Sequence, residues 1–256
     1  MSLPSLFISH GSPMLALQPG ASGTALARLA ETLTKPKAIV LVSAHWESHD
    51  LRVSHAAQPA TWHDFGGFPA ALYQLQYPAP GDPDLARHVV DLLAQAGLPA
   101  LLDNSRPFDH GAWVPLRLMY PQADIPVVQV SLPSRQGPSL QRRIGQALAI
   151  LRSQGILLIG SGSITHNLGE LDRSAGPEHV EPWAQAFRDW VVEKLMQRDH
   201  ANLEDYRRQA PYAARNHPSD EHLLPLFFAA AAGEVFTLEH SGFTYGALGM
   251  DIYSFT

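Results

Sequence analysis

The sequence of 256 residues contains no cysteine. This absence excludes disulfide bonds, metal sites built on thiolates and catalysis by a cysteine nucleophile. Any metal that the chain binds must therefore be held by histidine, carboxylate or water. Histidine is plentiful, with 13 copies, but their number alone decides little because histidine also serves as a surface and hydrogen-bonding residue. The functions of the histidines therefore have to be inferred from their positions in the sequence.

The chain is also poor in charge and in long apolar runs. Charged residues make up 16% of the sequence and hydrophobic residues 45%, which is typical of globular proteins with a substantial core. The 18 basic and 24 acidic residues give a formal net charge of -6 without a basic tract, so nucleic acid is not an expected partner. No apolar stretch approaches the roughly 20 residues that cross a bilayer, and the amino terminus lacks the features of a signal peptide. We therefore expect no membrane partner and a cytoplasmic location.

Several common catalytic motifs are missing as well. In the turn "GSGSIT", Gly160 is followed two positions later by Gly162 instead of serine, so the G-x-S-x-G nucleophile elbow is absent. The chain has no Walker lysine and no complete G-x-G-x-x-G motif. These absences argue against a serine hydrolase of the elbow type and against the usual nucleotide-binding folds.

Apolar runs alternate with helical patterns along the chain. The runs span 6–8, 39–42, 127–130 and 156–159, and their continuous apolar character predicts strands buried on both faces. Helical patterns lie at 24–34, 83–96, 140–153 and 182–197, with Asp82 as the N-cap of the second. The alternation predicts a single α/β domain over residues 1–256, with a central mostly parallel or mixed sheet flanked by helices.

Weaker strand patterns occur at 51–55, at 100–103 and in the final "GALGMDIYSF". Their places in the sheet do not follow from the sequence, which makes a mixed sheet the safer prediction. The longest irregular region, 56–67, contains two aromatic residues and no apolar period. Loops of this length inside compact domains are usually binding loops or lids.

Three histidines follow predicted strands. His10 comes directly after the first strand, His45 follows the second, and His166 follows the fourth through the glycine-rich turn. Ligands of open α/β sheets bind beyond the carboxyl ends of the strands, so these imidazoles are expected to share one crevice. Gly11 next to His10 is expected to let the chain turn away there. His222 lies in the first turn of a predicted helix that begins near residue 219, and helix amino termini face such crevices too.

Together these four histidines favour a metal site with open coordination positions. Neutral imidazole is a good ligand for zinc, iron, copper and nickel, and three protein ligands leave room for water or substrate. A single histidine after a strand, however, is more often a hydrogen-bonded loop residue. The pattern by itself therefore supports a metal site and a structural role about equally.

Other histidines are weaker candidates. His110, in "RPFDHGAWVPL", lies just before a helical pattern opened by Trp113, and its simplest interpretation is a turn residue beside an N-cap. His63 lies in the long loop and is intermediate. The remaining histidines are interpreted as surface or local hydrogen-bonding groups: His49, His55, His88, His179, His200, His217 and His240.

An ordered set of eight motifs makes the interpretation more specific. The set consists of "SHGSPM", "VSAHW", "HDFGGFP", "YPAPG", "FDHGAWVPL", "GSGSITHNL", "P-x-x-EHLLPL" and "YGALGMDIYSF". In this order it resembles the DOPA 4,5-dioxygenase branch of the LigB-like class III extradiol ring-cleavage dioxygenases, over nearly the whole chain. The resemblance implies one LigB-like α/β domain with a mononuclear metal.

The resemblance also implies a ligand set. His10 and His45 match the two histidine ligands of the family. The third ligand matches the "EH" pair, where His222 is the better candidate in the DOPA-like branch and Glu221 is the rival, since family members with protocatechuate-type substrates use glutamate. His166 matches an active-site histidine close enough to be a further rival ligand.

Roles for the remaining site residues follow from the same resemblance. His166 is expected to accept a catechol proton and later return one, a role that suits an ordinary imidazole pKa of about 6.5. His110 is expected to orient the substrate or to stabilise developing negative charge. In the long loop, Trp62, His63 and Phe65 are candidates for contact with the substrate ring, and a packed surface loop is an equally good interpretation.

The expected activity is ring opening of a catechol by O2 to a muconic semialdehyde, with mononuclear Fe(II). A site of three neutral histidines also suits Zn(II), which has no redox chemistry, so the sequence leaves the native metal open. A zinc-dependent hydrolase using the same histidines and a non-catalytic metal or small-molecule binding protein remain alternatives. The physiological substrate and the oligomeric state do not follow from the sequence.

Overall fold

The apolar runs of the sequence form strands, and the segments between them form helices. The computed structural model describes residues 2–176 and 178–256 of the chain. Within this part the strands are β1 (Ser5–Ser9), β2 (Ala38–Glu47), β3 (Arg52–Ser54), β4 (Leu101–Asp103), β5 (Val127–Leu132), β6 (Ile156–Gly162), β7 (Phe236–His240), β8 (Phe243–Thr244), β9 (Leu248–Gly249) and β10 (Ile252–Phe255).

Helices cover both faces of these strands. In the same described residues the α-helices are α1 (Gly20–Thr32), α2 (Pro83–Gln95), α3 (His110–Met119), α4 (Gly137–Leu148), α5 (Pro182–Gln197), α6 (His200–Glu204), α7 (Tyr206–Gln209), α8 (Ala213–Asn216) and α9 (Leu224–Ala232). Short 3-10 helices span Pro13–Ala16, Ala70–Gln74, Ser134–Gln136, Ala149–Gln154 and Leu168–Glu170. None of the helices in the described ranges is long and apolar enough to span a bilayer.

One mixed sheet organises the molecule, with its strands in the order β4-β3-β5-β2-β6-β1-β10-β7. The neighbours β5, β2, β6 and β1 run parallel, whereas β10 pairs antiparallel with β1 and with β7, and β3 pairs antiparallel with β5. The predicted α/β domain with a mixed sheet is confirmed. Its parallel centre brings the carboxyl ends of β1, β2 and β6 to the same edge, where α/β proteins bind ligands.

The inner strands are buried on both faces. Along β2, Ile39 and Leu41 belong to one apolar cluster, whereas Val40 and Val42 belong to the other. The first cluster includes side chains of α1 and α3, and the second includes side chains of α2, α4 and α9. Burial on two sides explains why these strands have continuous apolar sequences instead of alternating ones.

Helix boundaries differ from the predicted ones mainly at the ends. Helix α5 has the predicted bounds, and α2 begins as predicted after Asp82, whose side chain accepts a hydrogen bond from the Leu85 N–H. Helix α1 begins and ends earlier than the predicted 24–34, and the predicted helix 140–153 is α4 followed by a 3-10 helix. Terminal turns depend on capping geometry that apolar periodicity does not report.

Two predictions for the elements beside His45 and His110 are wrong. His45 lies within β2 rather than after it, because the strand continues to Glu47 past an irregularity in its pairing with β5. Such irregularities in strand pairing redirect side chains. Helix α3 begins at His110, not at Trp113, and its N-cap Asp109 accepts a hydrogen bond from the Ala112 N–H.

The predicted helix start near residue 219 is also wrong. Helix α9 begins at Leu224, and His222 lies in the turn before it. Pro225 explains the late start, since proline has no N–H and its ring would clash with the carbonyl four residues earlier in a helix. A proline is tolerated only in the first turn, so the helix has to begin just before it.

Candidate active site

Five histidines meet at the carboxyl edge of the inner strands. His10 follows β1, His45 lies near the end of β2, His110 opens α3, His166 lies in the loop after β6, and His222 precedes α9. The ring centroids of His10, His45 and His222 are 4.9 to 5.4 Å apart. The centroid of His110 lies 4.0 Å from that of His45. The structure thus brings together side chains from five separate parts of the chain.

The backbone after His10 requires glycine. Gly11 has a φ of 63°, in the left-handed region. A Cβ atom at this position would lie 2.6 Å from Cε of Met250. Both the conformation and the close approach of Met250 favour glycine here, and the chain turns away directly beside the imidazole of His10.

Hydrogen bonds determine which nitrogen of His10 faces the other histidines. The Ser161 hydroxyl donates to the carbonyl of Gly111 at 2.5 Å and lies 3.0 Å from Nδ1 of His10. Since the hydroxyl proton is engaged by Gly111, the Nδ1–H of His10 is the donor to Ser161. Nε2 of His10 therefore carries a lone pair instead of a proton, and it lies 3.0 Å from Nε2 of His45.

The orientation of His222 is determined in the same manner. The Glu221 carboxylate lies 2.9 Å from Nδ1 of His222 and accepts the hydrogen bond from its Nδ1–H. Nε2 of His222 is buried and has no hydrogen-bond partner in the described part of the chain. A carboxylate bound to the outer nitrogen is the usual support of an imidazole that ligates a metal.

Three imidazole nitrogens converge on one point. One ring nitrogen from each of His10, His45 and His222 lies within 4.8 Å of the others. A cation between them would accept the lone pair of His10 Nε2 and would satisfy the buried Nε2 of His222, which is otherwise without a partner. These residues therefore fit a transition metal held by three histidines, with coordination positions left for substrate.

Burial keeps these three imidazoles neutral. It is the main reason that the pKa values of His10 and His222 lie well below the ordinary 6.5, and repulsion between neighbouring imidazoles lowers them further. The pKa of His45 is lowered to about 3, first by burial and then by His110, with Asp64 opposing the change. At neutral pH each imidazole is in the form that can donate a lone pair to a metal.

His166 lies against His222 but outside the group of three. The two rings stack with centroids 3.4 Å apart and an interplanar angle of 6°. Burial lowers the pKa of His166 to about 4, although the nearby Glu221 carboxylate raises it. The ordinary pKa expected from the sequence is therefore wrong, because the ring lies among other buried groups. At neutral pH His166 is a neutral hydrogen-bond acceptor.

The five histidines line a cavity of about 510 Å³. Its remaining lining is mostly apolar and includes Phe65 and Phe68. His63 is not among the lining residues: its Nε2–H donates to the carbonyl of Leu75 at 3.0 Å, and its ring packs against those of Phe65 and Trp113. A cavity of this size and character suits one substituted aromatic ring.

Comparison with known proteins identifies the family of this chain. Residues 4–256 match the family described as the catalytic LigB subunit of aromatic ring-opening dioxygenase. The chain belongs to the LigB family. Its relatives in this family include the 4,5-DOPA dioxygenase extradiol of Beta vulgaris, 43% identical over 98% of this chain and 95% of that protein. The protein of the same name from Escherichia coli (strain K12) is 40% identical over 97% of this chain and 93% of its own length.

The LigB fold is also found in a solved structure. The crystal structure of an uncharacterized Escherichia coli K12 protein superposes with a TM-score of 0.82 at 32% sequence identity, covering 99% of this chain and 100% of the other. The resemblance inferred from the eight motifs is therefore confirmed. Both the family match and the fold extend over practically the whole chain.

In this LigB-family chain a carboxylate that was not predicted from the sequence holds His110. Asp64 Oδ1 accepts hydrogen bonds from the backbone N–H of His110 at 2.9 Å and from its Nδ1–H at 3.0 Å. Burial alone would raise the pKa of Asp64, but the hydrogen bonds with His110 lower it below the ordinary value, so the carboxylate is ionised. The motif "HDFGGFP" contains Asp64, yet a lone acidic residue in a loop has no spacing that separates it from a surface carboxylate.

His217 was interpreted as a surface group or a local hydrogen-bonding group, and of these two only the hydrogen bonding is found. The side chain is fully buried, and its Nε2–H donates to the carbonyl of Ile164 at 3.0 Å. The neighbouring Asn216 carbonyl accepts from the backbone N–H of His166 at 3.0 Å. The segment before His222 thus supports the loop that bears His166.

Proposed function

We propose that this LigB-family protein is a metal-dependent extradiol dioxygenase that opens the ring of a catechol with O2 to a muconic semialdehyde. The family and the names of its relatives support this activity. The observation that carries the proposal is the convergence of three neutral imidazoles, two of them buried and that of His45 half-buried, in a cavity large enough for an aromatic ring. Residues 1–256 act as one catalytic domain in this proposal.

His10, His45 and His222 are the proposed metal ligands. Glu221 is the weaker candidate for the third position, because its carboxylate is engaged by the Nδ1–H of His222. His166 groups with Glu221 and His222, whereas the third ligand has to join His10 and His45. This geometry favours His222 over both rivals.

Fe(II) is the proposed metal for activity. When bound by the three histidines, iron supplies the redox chemistry that allows O2 to react with a catechol. Zn(II) fits the same neutral imidazoles but has no redox chemistry, so protein loaded with zinc is expected to be inactive in ring cleavage.

Residues around the ligands would handle the proton and the ring. His166 is neutral at pH 7 and is proposed to accept a proton from a catechol hydroxyl and to return one later. Asp64 accepts the hydrogen bond from Nδ1–H of His110, and Nε2 of His110 is the proposed acceptor for a hydroxyl group of the substrate. Phe65, at the cavity wall, is the proposed contact for the aromatic ring. The ring of His63 packs against the ring of Phe65 and supports it.

Oxygen uptake tests the proposed reaction. Protein stripped of metal is reloaded anaerobically with Fe(II) or with Zn(II) and is then given L-DOPA or protocatechuate in air. We expect oxygen consumption and a yellow ring-opened product with iron alone. Hydrolysis of esters or amides by the zinc form, without oxygen uptake, would favour a zinc hydrolase, and metal binding without any turnover would favour a binding protein.

The role of Asp64 gives a second prediction. In Asp64→Asn the amide oxygen can still accept the hydrogen bonds from His110, but the negative charge that strengthens them is lost, so we expect kcat to fall roughly 10- to 100-fold, as for other residues that orient a site histidine. The metal content should not change, because in the described part of the chain the hydrogen bonds of Asp64 go to His110 and not to the three proposed ligands. Steady-state kinetics and metal analysis measure both.

The exposed Asp84 provides a matched control for this substitution. Asp84→Asn removes an exposed carboxylate on α2 that pairs with Arg87, and it should leave kcat unchanged. If Asp64→Asn keeps the kcat of the unchanged protein, or if it loses the metal, the assigned role of Asp64 is wrong.

A further inference from the structure

A permanent positive charge lies in the lining of the histidine cavity. Arg173 is exposed and lines this cavity together with Leu171 and Tyr245. The other described lining residues are apolar, glycine, hydroxyl-bearing or histidine, and burial keeps the imidazoles of His10 and His222 neutral at pH 7. Among the described residues of the lining, Arg173 is therefore the one lysine or arginine side chain.

Arg173 is unpaired in the part of the chain that the structure describes. Within residues 2–176 and 178–256 it forms neither a hydrogen bond nor an ion pair, whereas Arg188 pairs with Asp251 and Arg215 pairs with Glu170. The adjacent Asp172 does not neutralise it, because the Asp172 carboxylate accepts hydrogen bonds from the backbone N–H and the hydroxyl of Ser174. The guanidinium is free to bind an anion that enters the cavity.

The backbone beside Arg173 is attached to the cavity wall. The Asp172 N–H donates to the carbonyl of Tyr245 at 3.0 Å, and the Ala175 N–H donates to the carbonyl of Asp172 at 3.1 Å. Tyr245 has a φ of 53°, a left-handed conformation that residues other than glycine seldom adopt and that is often found at ligand sites. The bond from Asp172 holds the backbone beside Arg173 against Tyr245, which lines the cavity.

We propose that Arg173 determines specificity by binding a carboxylate on the side chain of the catechol. The inference rests on the proposed function, in which the histidine end of the cavity takes the two hydroxyl groups. The apolar wall then takes the ring, and the free guanidinium remains for the substituent. A guanidinium matches the two oxygens of a carboxylate with two parallel hydrogen bonds, and it disfavours a cationic substituent.

A matched pair of substrates tests this proposal. The acid 3-(3,4-dihydroxyphenyl)propionate and its amide have nearly the same shape and differ in charge. For the iron-loaded protein we expect KM to be about tenfold lower for the acid than for the amide. This is at the low end of the effect of a charge-assisted hydrogen bond, because Arg173 is exposed to solvent. In Arg173→Gln this preference should disappear through a higher KM for the acid, while kcat and the kinetics of the amide stay unchanged.

Two further variants and added salt make the test more specific. Arg173→Lys should retain part of the preference, since it keeps the charge without the fork geometry. Sodium chloride should weaken the preference in the unchanged protein, because mobile ions screen an exposed pair. Arg28→Gln is the control, since Arg28 is an exposed arginine of α1 outside the cavity, and it should keep the full preference.

Equilibrium binding separates this proposal from the proposed reaction. Tryptophan fluorescence gives the Kd of the acid and of the amide for zinc-loaded protein without any turnover. Equal Kd values for the two compounds in the unchanged protein, or a loss in Arg173→Gln that is equal for both, would overturn the role of Arg173. Absence of oxygen uptake with every catechol would instead overturn the proposed function, while a tighter Kd for the acid that depends on Arg173 would still support the carboxylate site.

Discussion

His10→Ala and His45→Ala are expected to abolish stable metal binding and ring cleavage together. Each substitution removes one of the three imidazoles that converge within 4.8 Å. Changes to residues that only support metal ligands typically cost 10- to 100-fold in metal affinity, so removing a ligand should cost more than about a hundredfold. The metal content per chain, measured after loading with Fe(II) or Zn(II) and gel filtration, gives the result directly.

The third ligand is tested in the same experiment. His222→Ala should lose the metal as completely as the other two variants, because the Nε2 without a partner is removed. Glu221→Gln should retain the metal with reduced affinity, since an amide can still accept the hydrogen bond from Nδ1–H of His222. The opposite result, with metal lost only in Glu221→Gln, would make the carboxylate the ligand.

A control has to separate lost ligands from lost folding. His49→Ala changes an exposed histidine that contacts Asp50, and it should bind metal like the unchanged protein. Circular dichroism and Tm of each metal-free variant show whether the sheet is intact. A His10→Ala or His45→Ala protein that is folded and still binds metal fully would contradict the proposed centre.

His166→Ala is expected to retain the metal and to lose turnover. The ring stacks on His222 at 3.4 Å without belonging to the group of three, so its removal leaves all three nitrogens in place. Proton transfer by a positioned side chain typically contributes about 10²- to 10⁴-fold to the rate, and kcat should fall within that range. The measurements are oxygen uptake with saturating catechol and metal content on the same sample.

Two outcomes would contradict this assignment. Loss of the metal in His166→Ala would make His166 a ligand, and an unchanged kcat would leave it without a chemical role. His166→Gln helps to distinguish the two, because it can accept a hydrogen bond but does not transfer a proton at neutral pH. It should therefore be as slow as the alanine variant.

Much of the fold follows from local patterns in the sequence. The continuous apolar runs of β1, β2, β5 and β6 predict strands covered on both sides, and this is what the two apolar clusters provide. The strand order does not follow in the same way, since the pairing of β10 between β1 and β7 joins residues from opposite ends of the chain. Local periodicity contains no information on such distant partners.

The candidate site was predictable to a similar degree. His10, His45 and His166 lie at one edge of the sheet, as expected from parallel strands that end together, although His45 lies within β2 and not after it. Asp64 and Ser161 were missed, since each acts only through a hydrogen bond to a histidine that is distant in the sequence. The low pKa of His166 was missed for a related reason: burial is a property of the assembled cavity.

Two of the proposed ligands are held by separate strands of one sheet. His10 and His45 are 35 residues apart and lie at the ends of two strands that both pair with β6. In zinc fingers the ligands assemble only when the ion binds, and removal of the ion unfolds the chain. Here we expect the apolar core to fix the proposed ligands instead, so that one ion could leave and another could enter while the chain stays folded. The metal recovered with the protein would then reflect which ion its surroundings supplied, and exchange between ions would need no chaperone or refolding.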